Sequence, residues 1–235
     1  MRARIWYLGH SAWCVETEKK RLVFDYVSPA AKSGGLESGI VNPADLRDKD
    51  LVFFASHSHA DHYDRALHKE SAAWPHVTWV LGDISPLGNG VKVKGRSTLQ
   101  AGNMTVHTAK STDAGCCFLT EADGLRVFHA GDNADWGDPG DGTAYYAEID
   151  YLASLGIPVD AAFIPVCTFS GERPACMTRG ALYAVRKLDP KYVFPMHGNG
   201  REYLYEEFRR DAEKELQNPI ICMKRPGDFM DLDIL

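Results

Sequence analysis

The chain opens with three short runs rich in β-branched and aromatic residues, Arg4 to Leu8, Ala12 to Glu16 and Arg21 to Tyr26. Their composition predicts three strands, with Thr17-Glu18-Lys19-Lys20 as a charged turn between the last two. Residues 28 to 43 mix Pro, Ser and Gly without periodicity, which predicts a long loop, and a loop of that length often serves as the lid or rim of a site. The run Leu51 to Ala55 is apolar throughout, as expected of a strand buried on both faces. It leads directly into His57-Ser58-His59-Ala60-Asp61-His62. Asp64 can then cap a short helix reaching Ser71, and Val77 to Leu81 reads as another buried strand.

Residues 82 to 103 read as short strands and turns, and Met104 to Lys110 as a strand. Cys116 to Thr120 and Leu125 to Ala130 flank Glu121-Ala122-Asp123-Gly124, a hairpin pattern. Helices are expected over Tyr145 to Leu155, Thr178 to Leu188 and Arg201 to Leu216, alternating with buried strands at Ala161 to Val166 and Tyr192 to Met196. Ile220 to Lys224 is expected to close the chain as a strand. Cys14 to Asp25 and Phe118 to His129 echo one another, each a strand, a charged turn and a strand ending near a Val-Phe pair.

Composition narrows the function classes. With 235 residues, 45% of them hydrophobic and 25% charged, the chain can bury a substantial core, and we expect one α/β domain over residues 1–235. The formal net charge of −6 argues against nucleic acid or an anionic membrane as partner. No stretch approaches the roughly 20 apolar residues that span a bilayer. No leader-like segment is apparent at the N-terminus, so a cytoplasmic location is expected. The six cysteines are scattered without a CxxC pair and are expected to be free thiols.

The strongest chemical feature is the segment from His57 to His62. His57 and His59 lie two apart, so in an extended segment their rings point the same way and can serve one ion. Asp61 and His62 follow where the chain turns, placing an oxygen and a third imidazole toward a neighbouring position. Four ligand-type residues in six positions are costly to bury without a common partner. Imidazole and carboxylate together suit zinc, with manganese or iron as alternatives.

This HxHxDH loop after an apolar strand resembles the metallo-β-lactamase superfamily of hydrolases. Two further segments match in order and spacing. Gly131-Asp132 follows the apolar strand ending at Ala130, where that family carries a bridging aspartate. His197 follows Phe194-Pro195-Met196, where it carries a late histidine. The resemblance implies a four-layer αβ/βα sandwich, two mixed sheets inside and helices outside, with one or two divalent metal ions at one edge. It also implies the ligand sets: His57 and His59 at one position, Asp61, His62 and His197 at the other, and Asp132 between them. The opening Leu8-Gly9-His10-Ser11 and the short length resemble the lactonase-like branch, whose familiar members are ascorbate-6-phosphate lactonases, and place His10 near the mouth of the site.

The chain departs from the family pattern at the third ligand of the first position, where a histidine is expected before the strand starting near Cys116. Asp113 is the better-placed candidate in that loop; His107 is of the right type but falls within the preceding strand; a position without a third protein ligand is also open. A metal-bound hydroxide would make a serine or cysteine nucleophile unnecessary, with Asp61 orienting it or carrying a proton. The expected walls are the loop from Ser28 to Asn42, Trp136 and Phe169, with Arg173 offering a positive head. That mixture suits a small anionic ester or lactone. A homo-oligomer is compatible with the sequence. A phosphodiesterase is the alternative enzyme, and a metal-binding relative without turnover the alternative from another class. His68 and His76 are expected at the surface and His129 in the core.

Overall fold

The computed structural model describes residues 2–30, 33–42, 48–87, 90–101, 103–137 and 141–233. Two mixed sheets face each other across a common core. In the first, β1 (Arg2–Gly9), β2 (Ala12–Glu16) and β3 (Lys20–Phe24) form an antiparallel meander. β4 (Asp50–Ala55), β5 (Val77–Gly82) and β6 (Gly90–Val93) then continue in parallel, with helix α1 (Arg65–Ser71) between β4 and β5. The second sheet repeats this plan. Its antiparallel strands β7 (Thr98–Ala101), β8 (Met104–Lys110), β9 (Cys116–Ala122) and β10 (Leu125–His129) are followed by parallel β11 (Ala161–Pro165) and β12 (Tyr192–Met196). Helices α2 (Asp141–Ser154), α3 (Ala175–Leu188) and α4 (Tyr203–Ala212) belong to this half, and β13 (Phe229–Asp233) returns to pair with β1. The strand orders are β13-β1-β2-β3-β4-β5-β6 and β12-β11-β10-β9-β8-β7. The α/β class and the two mixed sheets expected from the sequence are present. The two echoing hairpins, β2–β3 and β9–β10, each join the antiparallel part of their sheet to its parallel part.

The apolar run of β4 shows why this arrangement forms. Successive side chains of a strand point to opposite faces. Phe54 enters the space between the sheets, stacked 4.5 Å from Phe24 and near Phe118, whereas Phe53 packs on Trp79 under α1. Trp13, Phe163 and Phe194 extend the inter-sheet core. Asp64 caps α1 as expected, its carboxylate accepting a bond from Leu67 N at 2.9 Å. Among the described residues no helix is long and apolar enough to cross a membrane, and the six cysteines are free thiols.

Two expectations are corrected. Ile220 makes an isolated bridge to Val193, not a strand, and the closing strand is β13. Along β13 only Leu232 is buried, so an edge strand of this kind lacks the apolar run by which buried strands are read. His68 is fully buried beneath α1, stacked 4.5 Å from Trp79 and within 2.8 Å of the Tyr63 hydroxyl. It lies on the inward stripe of α1 with Leu67 and Ser71.

Candidate metal centre

The C-terminal ends of several strands from both sheets converge at one edge. Ser56, the residue before the His57 to His62 segment, is the root of that convergence. Its carbonyl accepts from Cys116 N at 3.1 Å, its amide and hydroxyl both donate to Asp25 at 2.7 Å, and its side chain is fully enclosed. Gly115 (φ +66°) and Gly131 (φ +53°) close over it; a Cβ at Gly115 would stand 1.9 Å from the Ser56 oxygen. Only glycine lets the β8–β9 loop and the end of β10 come this near, bringing Asp113 and Asp132 against the histidine segment.

Two groups of ligand-type atoms result, each with its members within 4.8 Å of one another: His57, His59, Asp113 and Asp132; and His10, Asp61, His62 and His197. In the first, Asp113 Oδ2 lies 3.5 Å from His57 Nε2 and 3.4 Å from His59 Nδ1. In the second, Asp132 Oδ1 lies 3.2 Å from His62 Nε2 and 3.3 Å from His197 Nε2, while its Oδ2 is 3.7 Å from His57 Nε2. Asp132 therefore reaches toward both groups. His107 belongs to neither; it stays in β8, between the Thr98 hydroxyl and Glu121.

The rings are fixed by bonds at their far nitrogens. His62 Nδ1 lies 2.8 Å from Asp25, His197 Nδ1 lies 2.9 Å from the Cys167 carbonyl and His57 Nδ1 lies 2.9 Å from Ser56 Oγ. A proton donated to a carboxylate or carbonyl leaves the opposite nitrogen as a lone pair, and here that nitrogen faces the cluster. His62 Nε2 and Asp132 Oδ1 are buried without a hydrogen-bond partner. Two buried, partnerless lone pairs this close are what a cation bound between them would satisfy.

Charge tells the same story. Burial would raise the Asp132 carboxyl, but His197 and His62 outweigh it and hold it well below the usual range. Burial would lower His62, yet Asp25 and Asp132 hold it well above the imidazole range, which puts a positive charge between these two carboxylates; a bound cation would take the place of the proton on Nε2. Burial keeps His57 and His10 below it, hence neutral. Asp61, bonded to His10 at 3.2 Å, is held down to about 2.

Two site residues sit in backbone conformations rare outside glycine: His10 at φ 51° and His197 at φ 76°. Each such residue costs on the order of 1–3 kcal/mol and persists only where its surroundings impose it. Here His197 N donates to the His10 carbonyl at 3.1 Å, and Tyr205 Oη accepts from Gly198 N at 2.8 Å. Asp25, Ser56 and Cys167 carry no motif of their own. The one sign of Asp25 in the sequence is an acid directly after the apolar end of a strand.

The cluster opens into a pocket of about 630 Å³ lined by His59, Ala60, Asp61, Thr112, Asp113, Asp132, Trp136, Phe169 and His197. Trp136 and Phe169 stand where the sequence placed them. Arg173 does not: it is held by Asp211 at 2.6 Å and Thr178 at 3.0 Å. None of the described residues of the Ser28 to Asn42 loop lines this pocket either. Ser28, Pro29, Ile40, Val41 and Asn42 line a separate pocket of about 250 Å³ with Trp74.

A profile described as a beta-lactamase superfamily domain matches residues 4–197. A UPF0173 metal-dependent hydrolase of Pyrococcus furiosus is 24% identical over 247 residues, covering 97% of this chain and 99% of its own. One from Opitutus terrae is 27% identical over 251 residues, covering 97% and 100%. Among solved structures, Igni18, a metallo hydrolase of Ignicoccus hospitalis, superposes with a TM-score of 0.72 at 19% identity over the whole of both chains. CmlA, a diiron β-hydroxylase of Streptomyces venezuelae, gives 0.70 at 14% identity over 99% of this chain and 54% of its own.

Proposed function

The chain belongs to the beta-lactamase superfamily, and from that premise we propose a metal-dependent hydrolase that holds one or two divalent ions and opens a small ester or lactone. The observation that carries the reading is the meeting of the two ligand groups at Asp132, with His62 Nε2 and Asp132 Oδ1 buried and partnerless between them. His57, His59 and Asp113 would hold one ion, Asp61, His62 and His197 the other, and Asp132 would serve both. His10 stands within reach of the second group as a further ligand or as the partner that fixes Asp61. Asp113 in place of a third histidine makes the first set richer in oxygen, a mixture that suits manganese or iron as well as zinc. Bound there, such ions would supply Lewis acidity toward a substrate oxygen and bring the pKa of water to near neutrality.

The remaining roles fall to the protein. Asp25, Ser56 and the Cys167 carbonyl orient the rings of His62, His57 and His197. Asp61 lies on the pocket wall and is ionised at neutral pH, so its carboxylate can accept a hydrogen bond from the attacking water and pass a proton to the leaving oxygen. The lactonase-like opening Leu8-Gly9-His10-Ser11 supports a lactone among the ester substrates.

The reading is tested by metal analysis together with turnover of simple esters, lactones and bis-aryl phosphodiesters in the presence of zinc, manganese or iron(II). We expect bound metal and turnover of an ester or lactone. Asp113→Ala should lose affinity for one ion while retaining the second. A variant binding two ions as tightly as the parent would remove Asp113 from the site. Full metal loading with silence on all three substrate classes would instead indicate a binding protein without turnover.

A further inference from the structure

The pocket lining combines two chemistries: carboxylates from Asp61, Asp113 and Asp132, and aromatic rings from Trp136 and Phe169. The rings follow one another in contact: Trp136 is 6.2 Å from His197, His197 is 4.3 Å from His10, and His10 is 6.0 Å from Phe169. The two rings thus flank His10 and His197 of the second ligand group.

The backbone that carries each ring is tied down by hydrogen bonds. Phe169 is 57% exposed, yet its loop is tied by Thr168 N to Glu172 O (2.7 Å), Gly171 N to Thr168 O (2.9 Å) and Arg201 to the Phe169 carbonyl (3.4 Å). Trp136 follows Asp135, a buried carboxylate that accepts from Tyr146 Oη at 2.8 Å, Arg179 at 3.1 Å and Gly137 N at 3.2 Å. Thr112 fastens the same segment through both the amide and the carbonyl of Ala134. A large aromatic side chain kept exposed on a braced loop forgoes its own burial, and at a pocket mouth it presents a ready apolar face.

None of the described residues lining the pocket is Lys or Arg. Arg173 is engaged with Asp211, Arg201 donates to the Phe169 carbonyl, and Lys110 lies outside the lining. With the ligand carboxylates and their ions facing the carbonyl, an anionic tail lying along Trp136 and Phe169 would find no cationic side chain among the described lining residues to receive it.

We infer that the site takes an uncharged substrate carrying an aryl group, which lies against Trp136 and Phe169 while its ester or lactone carbonyl faces the metal-binding groups. This rests on the hydrolase reading above for the bond that is opened, and on the two aromatic residues for the selectivity.

The test uses the metal-loaded full chain and three lactones that differ at one position: γ-phenyl, γ-methyl and γ-carboxy butyrolactone. We expect kcat/KM for the phenyl compound to exceed that for the methyl compound by on the order of tenfold or more, chiefly through KM, as burial of an aryl face predicts. The carboxy compound should fall below both. Phe169→Ala and Trp136→Ala should shrink the phenyl-to-methyl ratio, and Trp136→Phe, which keeps a flat ring, should preserve most of it. Equal values for phenyl and methyl, a preference for the carboxylate, or an unchanged ratio in both alanine variants would overturn the inference. If no lactone is opened, the hydrolase reading fails for lactones, and calorimetric titration with benzamide against acetamide still decides the aryl site. Tighter benzamide binding that is lost in Phe169→Ala supports it, and equal affinities refute it.

Discussion

Asp25 is fully enclosed and accepts three short bonds, from Ser56 N, Ser56 Oγ and His62 Nδ1. Through them one carboxylate sets both the root of the histidine segment and the tautomer of His62. Burial would raise its pKa, but the neighbouring His62 outweighs this and keeps Asp25 below the usual carboxylate range. Asp25→Asn keeps the shape and removes the charge that makes His62 a strong ligand. We expect metal affinity to fall by about 10–100-fold, as is typical when the partner of a ligating histidine is changed. Competition with a chromophoric chelator measures this, and a urea unfolding curve on the same variant separates it from loss of fold. An affinity equal to the parent's would mean that Asp25 serves only to hold Ser56.

Asp160 acts at the scale of elements. It lies just before β11, and its carboxylate accepts from Arg126 N and Nε at 2.9 Å and from Lys191 Nζ at 3.0 Å. It thereby ties the starts of β10, β11 and β12, at the end of the sheet away from the ligand groups. Burial opposes its charge, but the bonds from Arg126 and Lys191 win, and its pKa lies below the ordinary carboxylate value. The unfolded chain therefore takes up this proton more readily than the folded one. The stabilisation is complete above the unfolded value of about 4 and is lost as pH falls through the lower folded value. Asp160→Asn should cost about 1–3 kcal/mol near neutral pH, a range set by charge-assisted hydrogen bonds. The gap between parent and variant should stay constant from about pH 7 to pH 5 and close below pH 4. Denaturant midpoints across that range would show it, and a gap that widened in acid would reverse the sign.

The same scale shows what could be read in advance. β4, β11 and β12 are apolar on both faces, and their runs announce them. β13 pairs through its backbone at an edge, and with one buried side chain it leaves no pattern. The histidine segment was legible because its residue types are costly to bury without a shared partner. Asp132 and His197 needed the resemblance, since a lone Gly-Asp or Met-His at a strand end has no spacing to mark it. Asp25 and the buried His68 were not legible, because each depends on neighbours distant in the chain or on which face of a short helix turns inward. Arg173 misled for the same reason: its partner Asp211 lies in α4, 38 residues away.

At the scale of the whole molecule, the ligand groups draw on both sheets. His10, His57, His59, Asp61 and His62 come from the first half of the fold, whereas Asp113, Asp132 and His197 come from the second. Each sheet alone would present only part of either set, so these atoms meet only when the two sheets are packed. A cation that binds the folded chain and not the unfolded one stabilises it by about 2.7 kcal/mol at a free concentration 100 times its Kd. For a chain of this length each kcal/mol moves Tm by roughly 2–4 °C. Removal of metal with a chelator should therefore lower Tm by roughly 5–10 °C, with restoration on adding back zinc, manganese or iron(II). The shift should be larger in Asp113→Ala, which keeps one ligand group whole, than in Asp132→Ala, which removes the residue reaching both, and in each variant smaller than in the parent. Calorimetric scans of parent and variants with and without chelator give the comparison. A Tm indifferent to chelation in a protein shown to carry metal would mean that the unfolded chain holds the ions as tightly as the folded one, as the contiguous His57 to His62 segment alone could, and would overturn a site assembled by packing of the two sheets.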